Sequence, residues 1–161
     1  MNTPYPSETG CCPRFDATLW HDREHHWSGK VFLRYRVRCF LYIPLSFGTA
    51  MQRCLVDLKR GEAFTPAPPL VLSEHTSRWK MDVYVEATRE VPDAENVRLT
   101  GTFHSRVFRG PYRDAGKWAG AMKDWAAARS LTIKRHLLYY AYCPKCAKHY
   151  RENPVAYFVE V

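Results

Sequence analysis

Val31-Phe32-Leu33-Arg34-Tyr35-Arg36-Val37-Arg38-Cys39-Phe40-Leu41-Tyr42-Ile43 alternates in character with a period of two. Val31, Leu33, Tyr35, Val37, Cys39, Leu41 and Ile43 fall on one side, and Phe32, Arg34, Arg36, Arg38, Phe40 and Tyr42 on the other. Successive side chains of a strand point to opposite faces, so the pattern predicts one long strand with an apolar face. Pro44 ends it, Ser46 is placed to cap a helix, and Phe47, Ala50, Met51, Cys54, Leu55 and Leu58 recur at helical spacing until Gly61. Beyond Pro66, Pro68 and Pro69, an apolar run at residues 70–73 and an alternating run at 79–87 predict two strands joined by a polar turn at 74–78. The first half therefore reads strand, helix, strand, strand.

The order then repeats. Residues 97–109 read as a strand, Gly110 and Pro111 as a turn, and Asp114 as the cap of a helix whose Trp118, Ala121, Met122, Trp125 and Ala126 share a face. Residues 131–142 predict the next strand, the cysteine pair after it a turn, and residues 154–161 the strand that closes a hairpin. Two such units, 31–90 and 97–161, most simply form one α+β domain with both helices on one side of the sheet. Residues 1–30, with Pro4, Pro6 and Pro13 and an aperiodic run of Trp20, His21, His25, His26 and Trp27, read as an irregular arm whose aromatics need burial against the domain.

A chain of 161 residues, 46% apolar and 14% aromatic, can bury a core without staples. No run approaches the roughly 18 apolar residues of a membrane span. Residues 1–10 have neither the positive flank nor the apolar stretch of a signal peptide, which predicts a reducing cytoplasm and six cysteines present as thiols or metal ligands. The net charge of +8, from 24 basic and 16 acidic residues, is spread along the chain. Its densest pattern, Arg34, Arg36 and Arg38, is a stripe on one strand face, so a solvated face is expected rather than a nucleic-acid groove.

Strand parity supplies the candidate site. If Met81, Val83 and Val85 face the helix, Asp82, Tyr84 and Glu86 occupy the opposite face, where a concave pocket for a small-molecule partner is expected between the halves. Glu86 is the favoured water-activating carboxylate, with Asp82 and His104 as further catalytic candidates. Asp82 and Glu86 lie roughly 13 Å apart along a strand, too far for a close dyad, so either would act singly. Trp79, Tyr84, Tyr112, Trp118, His136, Tyr140 and Tyr142 are the candidates for substrate contact, His136, Tyr140 and Tyr142 sharing a strand face. The competing reading pairs the acids with arginines of the neighbouring strand. No nucleophile elbow, phosphate loop or zinc-protease helix motif is present, and the expected chemistry requires no cofactor.

One stretch stands apart, Tyr139-Tyr140-Ala141-Tyr142-Cys143-Pro144-Lys145-Cys146-Ala147-Lys148-His149-Tyr150. Cys143 and Cys146 in a hairpin turn can supply half of a structural zinc site, with Cys11, Cys12 or His149 completing it; free thiols are the alternative. Because the pair is expected in a turn rather than at a helix start, a thioredoxin-like redox role is disfavoured.

The phrase Gly101-Thr102-Phe103-His104-Ser105-Arg106-Val107-Phe108-Arg109-Gly110-Pro111-Tyr112 and the helix after it resemble the GyrI-like superfamily over residues 31–161. More narrowly, Thr9-Gly10-Cys11-Cys12-Pro13-Arg14-Phe15-Asp16 and Tyr142-Cys143-Pro144-Lys145-Cys146-Ala147-Lys148 look like a small bacterial branch of it labelled as hydrolases. The resemblance implies two strand-helix-strand-strand units facing each other across a central groove, a planar or hydrophobic ligand, and hydrolysis of an electrophilic compound as a detoxifying step. A non-catalytic drug-binding protein and a zinc-stabilised interaction module are the alternatives. Sensors of the superfamily carry an acidic residue late in the second unit, where this chain has only Glu160, so Asp82 and Glu86 rest on strand parity alone.

Overall fold

The computed structural model describes residues 4–161; the first three residues of the expected arm lie outside the described residues. The fold is α+β, built as two compact units: Ser28–Thr100, and residues 4–27 together with Gly101–Val161. Two long strands, β1 (Arg23–Phe40) and β5 (Asn96–Arg109), contribute residues to both. No helix of the described residues is long and apolar enough to cross a membrane.

In the first unit β1 is followed by β2 (Ile43–Pro44), α1 (Phe47–Arg60), β3 (Val71–Ser77) and β4 (Lys80–Glu86). β4 runs antiparallel between β1 and β3, with Leu33 opposite Val85 and Val71 opposite Val85 on its other side. Leu33, Tyr35, Val37 and Cys39 of β1, Met81, Val83 and Val85 of β4, and Ala50, Cys54 and Leu58 of α1 form one buried core. The apolar stripe of α1 is thus the face that covers the sheet. On the other sheet face Phe32, Leu72 and Tyr84 are also buried.

The expected strand through Ile43 is interrupted. β1 ends at Phe40, Leu41 and Tyr42 adopt positive φ of 46° and 70°, and the chain returns with Phe40 opposite Ile43. A two-residue hairpin loop matches the twist of its strands when both central residues are left-handed, so the backbone turns here although neither residue is a glycine or asparagine. The apolar alternation carried no sign of this turn. Gly61 ends α1 as expected but with φ −85°, and Glu62 takes the left-handed conformation instead. The glycine is required for space: a Cβ there would lie 2.5 Å from Val91 Cγ2.

The second unit contains the C-terminal part of β5, α2 (Ala115–Ala127), β6 (Arg135–Tyr140), α3 (Pro144–Tyr150) and β7 (Pro154–Glu160). β7 lies antiparallel between β5 and β6, pairing Ser105 with Phe158 and Leu137 with Phe158. Trp118 and Met122 of α2 pack on Leu138, Val155, Tyr157 and Val159, with Tyr140 at the edge of this core. The opposite face is covered by the N-terminal segment. Trp20 meets Tyr139 and Phe158 edge-on at 5.8 Å each, Phe15 meets Tyr139 at 6.1 Å, and Trp27 lies 4.2 Å from Phe103 between ring centroids.

Two further expectations are corrected here. The arm is not irregular through residue 30, because β1 starts at Arg23; His25 and Trp27 turn inward while Glu24 and His26 stay exposed. Polar residues on both faces hid that alternation. The cysteine pair does not sit in a turn either: Cys143 is the N-cap of α3 and Pro144 its first residue, where the missing amide proton costs no helical hydrogen bond. The argument against a redox pair that rested on the turn therefore falls.

Candidate functional site

The predicted acids of β4 occupy the face away from α1, and each is engaged differently. Glu86 Oε1 accepts from Lys30 Nζ at 2.5 Å and Oε2 from the Leu70 amide at 3.0 Å, so both of its oxygens are used in holding the chain. Asp82 lines an open cavity of 320 Å³ with Arg36, Arg38, Thr76 and Lys80. The Tyr84 hydroxyl donates to Glu74 Oε2 at 2.9 Å. Trp79 is half exposed and meets the Phe40 ring at a tilt of 59° and 5.7 Å, at the tip of the unit and not beside Glu86.

A second cavity of 380 Å³ in the same unit is lined by Arg34, Arg36, Arg53, Asp57, Asp93 and Glu95 among others. Its charges are largely paired. Arg34 contacts Glu95, and Arg36 lies 3.5 Å from the same carboxylate. The hydrogen bond from Arg34, against some desolvation, holds the Glu95 carboxyl below its usual value. The Tyr35 hydroxyl donates to Asp57 Oδ2 at 2.7 Å.

In the second unit His136 and Tyr140 share a strand face, and that face is the one beneath α2 rather than the one turned away from the helix. Parity gave the pairing of residues but not which face the helix covers. The Tyr157 hydroxyl and His136 Nδ1 share a hydrogen bond at 3.1 Å; burial and then Lys123 hold that imidazole below its usual pKa, and burial pushes Tyr157 up to about 12. Tyr112 meets Tyr140 edge-on at 4.8 Å, and burial raises both phenols. Trp118, 6% exposed, stacks on Phe108. Tyr142 is buried, accepts from the Phe15 amide at 2.8 Å and packs on Tyr150. Apart from the half-exposed Tyr112, these aromatics fill the core or, at Tyr142, anchor the N-terminal segment.

His104 is the predicted residue with an arrangement suited to proton transfer. Glu24 Oε2 lies 3.2 Å from His104 Nε2, and Glu24 Oε1 lies 2.6 Å from His26 Nε2. Glu24 and His26 are two apart on β1 and so project from one face, which lets a single carboxylate sit between two imidazoles. The His104 side chain is 15% exposed and packs 4.8 Å from the Trp125 ring. A carboxylate at one imidazole nitrogen favours the tautomer whose other nitrogen can accept a proton. Sequence reasoning missed Glu24 because it lay in a stretch read as irregular. A second histidine pair, His25 Nε2 with Ser105 Oγ at 2.8 Å, is structural: Ser105 is fully buried and its hydroxyl donates to the Trp20 carbonyl at 2.7 Å.

The four cysteines converge. The sulfurs of Cys11, Cys12, Cys143 and Cys146 all lie within 4.8 Å of one another. Cys11 Sγ is 3.6 Å from Cys12 Sγ and 3.8 Å from Cys143 Sγ. The Cys143 amide donates to Cys12 Sγ at 3.4 Å, and Thr9 Oγ1 is 3.2 Å from Cys146 Sγ. Burial raises the thiols of Cys11 and Cys12. For Cys146 burial also pushes upward, but hydrogen bonds from Thr9, the Cys12 backbone and the neighbouring thiols outweigh it and bring the group to about 7. His149 is outside the quartet, its Nε2 3.7 Å from Glu8. The same segment clasps the N-terminal arm: Tyr150 donates to the Cys12 carbonyl at 3.0 Å, and the Arg14 guanidinium lies over the Tyr150 ring.

With this geometry in view, comparison with known proteins decides the family. A family model described as bacterial hydrolase matches residues 3–161. The chain belongs to the bacterial hydrolase family. No curated protein matches it. Its fold is similar to the crystal structure of a hydrolase from Listeria innocua, with a TM-score of 0.61 and 14% identity over 87% of this chain and 91% of that one. An uncharacterized conserved protein from Listeria innocua is similar to the same degree, with a TM-score of 0.61 and 11% identity over 86% and 91% of the two chains. At these identities the two likenesses concern the fold alone.

Proposed function

We propose that this bacterial hydrolase attacks a small hydrophobic electrophile with a water molecule deprotonated by His104. The observation that carries the reading is the Glu24 carboxylate set between the imidazoles of His104 and His26. Glu24 would orient the His104 ring and stabilise the imidazolium formed as Nδ1 takes the proton from water, while Trp125 offers an apolar wall against which a substrate can rest. The substrate class is the one that the GyrI-like resemblance implies, and the step would detoxify it. Glu86 was the water-activating candidate from strand parity; because Lys30 and the Leu70 amide occupy its oxygens, the reading moves that role to His104.

The test is hydrolysis of p-nitrophenyl acetate and of styrene oxide by the purified chain. His104→Gln is expected to lower kcat about 100-fold or more with KM little changed. Added imidazole should restore part of the loss in His104→Ala, and Glu24→Gln should lower kcat by a smaller factor. Full activity in His104→Gln together with loss in Glu86→Gln would return the role to Glu86. Saturable binding of such compounds with no product from the wild-type chain would instead favour a sequestering protein.

A further inference from the structure

We infer that Cys11, Cys12, Cys143 and Cys146 form a zinc site whose role is to lock the N-terminal segment onto α3. Four thiolates around zinc at about 2.3 Å in a tetrahedron stand about 3.8 Å from one another. The sulfur separations of 3.6 and 3.8 Å, with every pair inside 4.8 Å, already approximate that tetrahedron. A disulfide would need two sulfurs at about 2.05 Å, whereas these cysteines are thiols and the neighbours of Cys11 stand at 3.6 and 3.8 Å. All four are thiols and mutually close, which favours one central ion over any pairwise bond.

The ligands arrive from two directions. Cys143 and Cys146, three apart across the first turn of α3, share a helix face; Cys11 and Cys12 come from the N-terminal segment, more than 130 residues away in sequence. Their supports are in place as well. The Cys143 amide on Cys12 Sγ and the Thr9 hydroxyl on Cys146 Sγ supply outer hydrogen bonds of the kind that disperse thiolate charge and orient ligands. Ser7 Oγ, which accepts from the amides of Thr9 and Cys11 at 3.2 and 3.0 Å, shapes the loop that presents Cys11. An all-sulfur tetrahedral set suits zinc or iron; zinc is proposed because it has no redox chemistry to disturb a clasp. Binding displaces the thiol protons to solvent as the Zn–S bonds form, with no oxidant or reductant required.

The experiment uses the full chain purified under reducing conditions without chelator. Elemental analysis should find zinc at about one ion per chain, and exchange with cobalt(II) should produce the charge-transfer and visible bands of a tetrahedral thiolate complex. Cys143→Ser combined with Cys146→Ser should abolish both, whereas Cys39→Ser, in the other unit, should keep them. If the double variant does not fold, Thr9→Val tests the same site, with zinc affinity expected to fall about 10-fold or more. Zinc retained in His104→Gln separates this inference from the hydrolytic reading. A wild-type chain that stays metal-free after incubation with zinc, that carries a disulfide among these cysteines under reducing conditions, or that takes iron in preference to zinc when offered both would overturn it.

Discussion

His136 shows how a single side chain couples burial to stability. Its imidazole is held below the ordinary value of 6.5 by burial, with the charge of Lys123 adding to the effect, and its Nδ1 is within hydrogen-bond distance of the Tyr157 hydroxyl. The unfolded chain therefore binds the proton first as the pH falls. Stability from this group is complete above the unfolded pKa and is lost as the pH drops below about 6.5 toward the folded value. Urea midpoints should decline between about pH 7 and about pH 5, and His136→Asn should remove part of that slope. His75, lowered by burial in the first unit, contributes in the same direction. The opposite sign, greater stability on acidification, would contradict the assignment. Neither the burial nor the Tyr157 bond was visible from position 136 alone, since a strand histidine can equally face solvent.

At the scale of elements, the sequence signals divide by kind. Helix α1 was legible because Ser46, the apolar spacing and Gly61 agree, and its observed span, Phe47–Arg60, lies between those two residues. Helix α3 was not, because seven residues cannot display an apolar period and Pro144 is equally at home in a turn. The N-terminal part of β1 was hidden because Arg23 and His25 on one face and Glu24 and His26 on the other leave no apolar alternation; recovering it is what places Glu24 beside His104. The end of α1 carries its own prediction. Gly61→Ala would place a methyl 2.5 Å from Val91 Cγ2, an overpacking that should cost about 1–3 kcal/mol in a denaturation experiment. Adding Val91→Ala should recover part of the loss; no recovery would mean that the backbone, not the contact, makes glycine necessary.

The N-terminal segment matters at the scale of the molecule because it contributes core to the second unit. Phe15, Trp20, His25 and Trp27 lie against Tyr139, Phe158 and Phe103, and the cysteine cluster and Tyr142 hold the chain ahead of them. Deleting residues 1–22 should therefore destabilise that unit by at least about 3 kcal/mol, with amide exchange rising at β6 and β7 more than at α1. Uniform protection in the truncated chain would show the segment to be dispensable. The sequence by itself determined the α+β class, the main strands and the helices α1 and α2 with their apolar faces, and the cysteines as a candidate metal set. These follow from local periodicity and residue chemistry. Tertiary structure alone decided that Tyr140 and His136 face α2, that Glu86 is consumed by Lys30 and Leu70, that Glu24 joins His104, and that Cys11 and Cys12 meet Cys143 and Cys146. Each of those depends on contacts between residues far apart in the chain, and a period of two or of 3.6 residues carries no information about which distant segment a face will meet.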